Sequence, residues 1–220
     1  MNTRRIRWYA DSANEGEVLR LLDEGLVCGV TTNPEILRAD GVTLGRLPEL
    51  ARSWVGHGAE EVFFQTWGST ADEMVEHARE LLGISPRVCI KAPATEIGFS
   101  AAARLVKEGA TVLVTAVYNP VQALAAASIG ARYIAPYLGR LDDAGYDGAG
   151  IIDTMASAVA GTGTEVLAAS LRSPDRILDL AQCGVNAFTA KPAVLRQALR
   201  AEASDASARA FEEAMESVVD

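Results

Sequence analysis

Short apolar segments alternate with longer amphipathic segments along almost the whole chain. The short segments are rich in β-branched residues and are bounded by turn-forming residues, which is typical of buried strands. Between them the apolar positions recur with helical spacing. The predicted strands are residues 6–11, 27–31, 62–65, 88–93, 111–116, 132–136, 166–169 and 187–189.

Capping residues and prolines mark where several helices begin. Asn33-Pro34 and Asn119-Pro120 each place a cap residue before a proline at the first helical position. Ser69 or Thr70 caps a further helix. The predicted helices are residues 14–22, one opened at 34, 44–55, one from 69 or 70 to 82, 97–107, one opened at 120, 151–159, 174–183 and 192–201, with a Gly- and Asp-rich stretch at 142–150.

One more amphipathic helix is predicted from Ser204 to the C-terminus, residues 204–220. Its apolar side carries Ala208, Phe211, Met215, Val218 and Val219.

Strands that alternate regularly with helices pair in parallel. Eight such units predict an α/β protein with a single (β/α)8 TIM barrel over residues 1–220, to which the C-terminal helix is an addition. The alternative is an open doubly wound sheet, but no G-x-G-x-x-G sequence follows the first strand. The barrel is therefore the predicted fold.

Composition narrows the classes of partner. A formal net charge of −9 argues against nucleic-acid and acidic-membrane surfaces, although it leaves room for a local basic pocket. No uncharged stretch is long enough to span a bilayer.

The three cysteines, Cys28, Cys89 and Cys183, are far apart, with neither disulfide nor zinc spacing, so we expect them to be small buried side chains. We expect a cytoplasmic protein that needs no metal and no cofactor.

Lys91 ends the fourth predicted strand, and Pro93 follows it closely. A lysine buried there is pushed toward its neutral form, and a neutral amine is a nucleophile for carbonyl carbon. The alternatives are an exposed lysine at a strand end or a point charge for a phosphate.

The active site of a (β/α)8 barrel lies at the C-terminal ends of its strands. We therefore expect the polar side chains at those ends to meet at one opening. They are Asp11, Thr31, Asn33, Gln65, Lys91, Thr115, Tyr137, Arg140, Ser170 and Arg172.

Several motifs that carry these residues resemble the small transaldolase family, and within it the fructose-6-phosphate aldolase type. They are Gly29-Val30-Thr31-Thr32-Asn33-Pro34, Ile90-Lys91-Ala92-Pro93, Thr115-Ala116-Val117-Tyr118, Ala135-Pro136-Tyr137-Leu138-Gly139-Arg140 and Leu167-Ala168-Ala169-Ser170. The resemblance implies that Lys91 forms a Schiff base with a ketose. It also implies that Asp11, Asn33 and Thr31 lie at the donor-sugar end. Arg140, Ser170 and Arg172 would hold the substrate phosphate.

Four positions favour the aldolase type over the transaldolases proper: Gln65, Leu113, Ala135 and Tyr137. The resemblance makes Ala135 a substrate-binding position. Trp67 departs from the pattern, and Asn119-Pro120 and Arg172 look more like the transaldolases. These departures leave the acceptor substrate open.

The residue types allow a mechanism without a metal. Lys91 forms the iminium, Asp11 is the only carboxylate among the strand ends that could act as the base, and Gln65, Thr115 and Tyr137 could hold one water. Arg140 and Arg172 suit a phosphate through their fork of donors.

The activity predicted first is a class I aldolase that joins dihydroxyacetone to glyceraldehyde 3-phosphate. A transaldolase that transfers the three-carbon unit between sugar phosphates is the second hypothesis. An inactive barrel that serves as a scaffold is the third. Finally, the C-terminal helix resembles one that packs subunits together in a ring, so we expect a homo-oligomer, a pentamer or decamer.

Overall fold

The computed structural model describes residues 5–218, in which eight parallel strands close into a barrel. Each strand pairs with its neighbour in sequence, and β1 pairs with β8 to complete the ring. The (β/α)8 prediction is confirmed. The strands are β1 Arg7–Asp11, β2 Gly29–Thr31, β3 Glu61–Gln65, β4 Val88–Pro93, β5 Val112–Val117, β6 Tyr133–Pro136, β7 Glu165–Leu171 and β8 Ala187–Ala190.

Helices follow the strands and cover the outside of the barrel. They are α1 Glu15–Asp23, α2 Pro34–Ala39, α3 Leu47–Gly56, α4 Ala71–Leu82, α5 Glu96–Lys107, α6 Pro120–Ser128, α7 Leu138–Asp143, α8 Gly148–Ala158, α9 Pro174–Gln182, α10 Pro192–Ala198 and α11 Glu202–Glu216. A short 3-10 turn, Leu44–Arg46, precedes α3.

Helix α7 was not predicted. It has only six residues, and Tyr137 at its start makes no side-chain capping hydrogen bond. The next helix, α8, begins at Gly148 and not at Ile151, because Asp147 caps it through the amide of Gly150. The stretch predicted as a Gly- and Asp-rich connection therefore belongs partly to two helices.

Alternate residues of each strand face the barrel interior or the surrounding helices. Ile90, for example, packs with the helices, whereas Cys89 belongs to a separate buried cluster that fills the interior. Cys28 and Cys89 are buried as predicted, while Cys183 is only half-buried. The interior cluster consists of Tyr9, Cys28, Phe63, Cys89, Leu113, Tyr133, Ala135, Leu167, Ala169 and Ala187.

A network of charged and phenolic side chains closes the N-terminal end of the barrel, which we call the floor. The Tyr9 and Tyr133 hydroxyls both donate to the Glu61 carboxylate, at 2.5 and 2.9 Å. Arg7 donates to the Tyr133 oxygen at 2.6 Å and pairs with Glu165. Each of these side chains on the floor thus has a polar partner, as burial requires.

Helix α11 lies on the surface with none of its residues buried. Phe211, on its predicted apolar side, is 69% exposed. Val218 was predicted on the same side, but it follows the end of the helix and is 72% exposed. Val219 lies outside the described residues. Within residues 5–218, no helix combines the length and the apolar character needed to cross a membrane.

Candidate active site

A cavity of about 780 Å3 opens at the C-terminal ends of the strands, and we call its opening the mouth. Most of the predicted site residues lie around it, since parallel strands bring these ends together. Those that line it are Asp11, Asn33, Lys91, Tyr137, Arg140, Ser170 and Arg172, together with Ser12, Glu17, Glu35, Ile36, Ala39, Asp40, Ala169, Leu171, Ala190, Lys191, Pro192, Ala193 and Val194.

Lys91 extends into this cavity from β4 and is 3% exposed. Its Nζ donates a hydrogen bond to the backbone oxygen of Thr32, at 2.8 Å. Burial lowers the pKa of Lys91 from its ordinary value, although the negative charge of Asp11 opposes the change. A lowered pKa increases the fraction of neutral amine at neutral pH. A neutral amine in such a position can add to a carbonyl carbon.

Asp11 ends β1 on the same cavity. The Thr31 hydroxyl donates a hydrogen bond to Asp11 Oδ1, with 2.6 Å between the oxygens. The Thr189 hydroxyl oxygen also lies 2.6 Å from that of Thr31. Burial raises the pKa of Asp11, while the charges of Lys91 and Lys191 and the hydrogen bond from Thr31 oppose the increase. Asp11 caps no helix, since Asn14 caps α1. Its carboxylate is available to act as a base.

Thr115 and Tyr137 form a pair of hydroxyls, with their oxygens 3.0 Å apart. Burial raises the pKa of Tyr137, so the phenol is protonated at neutral pH and can donate a proton. Gln65 is half-buried and stands opposite Lys91 in the strand register. Within residues 5–218 the Gln65 amide has no hydrogen-bond partner, so its predicted share in a common water stays a prediction.

Arg140 lies at the edge of the mouth and makes an ion pair with Glu35, at 2.8 Å. Its guanidinium also lies over the ring of Tyr137, 5.3 Å from the centroid, which is a cation–π geometry. The ring of Tyr118 meets that of Tyr137 edge-on, with centroids 6.1 Å apart. Arg140 is thus held from two sides.

Ser170 and Arg172 lie on the neighbouring part of the mouth, where β7 is irregular. The register of β7 against β8 shifts between Ala168 and Leu171, and Ser170 has a φ of 58°. Such bulges re-aim side chains near active sites. A Cβ on Gly139 would lie 2.6 Å from the Ser170 backbone oxygen, so only glycine lets α7 approach so closely.

Arg172 pairs with Asp143, and both side chains are largely exposed. Both arginines predicted to hold the phosphate therefore already have a carboxylate partner: Glu35 for Arg140 and Asp143 for Arg172.

The structure also shows where two further predicted site residues lie: Asn33 caps a helix, and Ala135 is buried in the barrel interior. The Asn33 side-chain oxygen accepts from the Ile36 amide at 2.9 Å and caps α2, which leaves its amide nitrogen free to face the cavity. Ala135 is buried in the barrel interior, two residues before Tyr137, and is not part of the cavity wall.

Three residues at the site were missed by the sequence reasoning. Glu35 and Lys191 line the cavity, and Thr189 supports Thr31. Each stands at or directly after a strand end or motif, so extending the search by two residues would have included them. In the described part of the chain, no three His, Cys, Asp or Glu side chains are grouped as ligands of a metal ion.

Comparison with known proteins gives one family. The sequence profile described as "Transaldolase/Fructose-6-phosphate aldolase" matches residues 8–220. A probable transaldolase of Heliobacterium modesticaldum is 35% identical over 218 residues, which is 98% of this chain and 100% of that protein. A probable transaldolase of Exiguobacterium sibiricum is 36% identical over 187 residues, covering 84% and 86%.

Solved structures with the same fold are more distant in sequence. Thiamine phosphate pyrophosphorylase from Pyrococcus furiosus superposes with a TM-score of 0.64 at 15% identity, covering 86% of this chain and 87% of that one. A mandelate oxidase superposes with a TM-score of 0.61 at 17% identity, covering 86% and 66%. At these identities the likeness concerns the fold alone.

Proposed function

The chain belongs to the transaldolase/fructose-6-phosphate aldolase family, and we propose that within it this enzyme is a class I aldolase for fructose 6-phosphate. The observation that supports the aldolase type is the hydroxyl of Tyr137, which lines the cavity that holds Lys91 and pairs with the Thr115 hydroxyl. This pair supplies the proton donor that release of the three-carbon product requires.

Bond cleavage begins at Lys91. Its neutral amine adds to the ketone carbon, and loss of water from the carbinolamine gives an iminium. Asp11 then takes the proton of the hydroxyl on the far side of the breaking bond. The electrons of the carbon–carbon bond move into the iminium, so glyceraldehyde 3-phosphate leaves and an enamine remains on Lys91.

Release of the remaining unit uses Tyr137. Protonation of the enamine carbon gives an iminium again, and attack of water frees dihydroxyacetone and restores the amine. Tyr137 can give the proton, and Thr115 orients its hydroxyl. Arg140, Arg172 and Ser170 bind the phosphate through charge-assisted hydrogen bonds.

A transaldolase is the second candidate. It is favoured by the names of the relatives, which are probable transaldolases, and by Asn119-Pro120 and Arg172. In that reaction the enamine on Lys91 attacks a second aldehyde and is not hydrolysed.

One assay separates the two candidates. Purified enzyme is given fructose 6-phosphate with and without erythrose 4-phosphate, and dihydroxyacetone is measured. We expect dihydroxyacetone to accumulate without the acceptor. Turnover only when erythrose 4-phosphate is present would instead assign the enzyme as a transaldolase.

The exposed helix α11 supports a proposal about assembly. Its apolar side, with Phe211 and Met215, has no place inside the closed barrel. We propose that it packs against another subunit of a homo-oligomer, a pentamer or decamer, because large exposed apolar patches mark interaction surfaces.

Truncation after Ala203 is expected to reduce the oligomer mass in light scattering, because it removes this surface. The double variant Ser207→Ala, Ser217→Ala, which leaves the apolar side intact, is the matched control and should keep the mass of the parent. An unchanged mass on truncation, or a monomeric parent, would contradict the proposal.

A further inference from the structure

The ion pair between Glu35 and Arg140 joins two different parts of the mouth. Glu35 lies in the first turn of α2, after the Asn33 cap, whereas Arg140 lies in α7 after β6. Their contact is 2.8 Å, and both residues line the cavity. The two side chains are 70% and 49% exposed, so water and substrate can reach the pair.

This contact uses the group that a phosphate would need. The Arg140 Nη2 donates to the Glu35 carboxylate, and its guanidinium is fixed over Tyr137. A carboxylate and a phosphate oxygen compete for the same fork of donors. In addition, a phosphate that approaches Arg140 also approaches the negative charge of Glu35, and that repulsion opposes binding.

We infer that Glu35 is a specificity residue, which competes with the phosphate of the substrate for Arg140 and so shifts the enzyme toward aldehydes without a phosphate. This inference rests on the proposed aldol reaction and concerns the end of the substrate away from Lys91. Relative to an enzyme without this carboxylate, neutral hydroxyaldehydes gain, since they need no guanidinium and meet no repulsion, while glyceraldehyde 3-phosphate still binds through Arg140, Arg172 and Ser170.

The second arginine does not remove this constraint. Arg172 is paired with Asp143, so neither guanidinium at the mouth is without a carboxylate partner in the described residues. Asp143 does not line the cavity, whereas Glu35 does. Of the two carboxylates that pair with these arginines, Glu35 is therefore the one that the phosphate meets inside the cavity.

The test compares Glu35→Gln with the wild type in the condensation of dihydroxyacetone with glyceraldehyde 3-phosphate or with glyceraldehyde. Glutamine keeps the shape and removes the charge, and exposed ion pairs contribute little to stability, so the variant should fold. We expect the ratio of kcat/KM for the phosphorylated over the neutral aldehyde to increase about five- to tenfold, the scale of one charge interaction at close range in water.

Two further variants make the result specific. Glu17 also lines the cavity with an exposed carboxylate, and within residues 5–218 it makes no ion pair, so Glu17→Gln controls for a general loss of negative charge. Its ratio should increase less than about twofold, since in the described residues Arg140 is paired with Glu35 and not with Glu17. In an Arg140→Ala background, Glu35→Gln should raise the ratio less than it does in the wild type, since only the direct repulsion of the phosphate remains to be removed.

Binding of inorganic phosphate, followed by 31P NMR titration, separates this inference from the proposed reaction. We expect Glu35→Gln to bind phosphate about five- to tenfold more tightly than the wild type, whatever the catalytic outcome. Tighter binding in an enzyme that condenses neither aldehyde would leave the inference standing and remove the proposed reaction. Equal phosphate affinities, or an equal gain in Glu17→Gln, would overturn the inference.

Discussion

Replacement of Lys91 by methionine is expected to lower turnover of fructose 6-phosphate by at least about 10⁴-fold, the scale seen when a covalent nucleophile is removed. Methionine keeps a long unbranched side chain in a site that is 97% shielded from solvent, so packing should survive while the amine is lost. Lys91 is 3% exposed.

The pH dependence of Schiff-base formation in the wild type tests Lys91 in a second way. Because burial lowers the pKa of Lys91, the neutral amine should already be substantial at pH values where an ordinary lysine is fully charged. The rate of Schiff-base formation should therefore increase with pH and level off below the pH at which an ordinary lysine titrates.

Lys191 is the matched control, since it lines the same cavity but is exposed. Lys191→Met should cost no more than about tenfold, the scale of one exposed charge interaction. Incubation with dihydroxyacetone and borohydride, followed by peptide mass spectrometry, should place the reduced adduct on Lys91. An adduct on Lys191 or Lys107, or turnover retained in Lys91→Met, would remove the Schiff-base mechanism.

Replacement of Tyr137 by phenylalanine is expected to slow release of dihydroxyacetone by about 10²-fold, the usual scale for one acid–base group. The ring, its contact with Arg140 and its packing against Tyr118 remain, so the change removes only the hydroxyl beside Thr115. Transfer to erythrose 4-phosphate should suffer less, because the enamine can attack an aldehyde without that proton.

Tyr118→Phe is the control for this variant, since Tyr118 packs against Tyr137 and the change removes its hydroxyl while keeping the ring. It should change the two activities by similar, small factors. Release is measured as free dihydroxyacetone and transfer as sedoheptulose 7-phosphate. An equal loss of both in Tyr137→Phe would mean that the phenol acts in a common step, such as formation of the Schiff base.

The barrel and the composition of the mouth could be predicted because both follow from short-range patterns. Eight apolar segments between amphipathic ones imply parallel pairing, and parallel pairing brings Asp11, Lys91 and Tyr137 to one end. Helix α7 could not be predicted in this way, because Leu138–Asp143 has no capping side chain and contains Gly139 and two aspartates, which are weak helix formers.

The contacts between residues on different sides of the mouth could not be predicted from the sequence. Glu35 and Arg140 are 105 positions apart, and no local pattern links them. The same holds for Thr189 beside Thr31. A motif indicates that Arg140 suits a phosphate, but only the folded chain shows that a carboxylate already occupies its donors.

The closed floor of the barrel has a consequence for the order of events during transfer. Below Lys91 the interior is filled by side chains such as Phe63 and Leu113, and the network around Glu61 closes the end. Small molecules therefore enter and leave Lys91 through the mouth. Under the proposed Schiff-base mechanism, the first aldehyde must depart before a second can arrive, so the enzyme would alternate between a free form and a covalently loaded form. Any transfer between sugars then follows ping-pong kinetics, with excess donor blocking the acceptor.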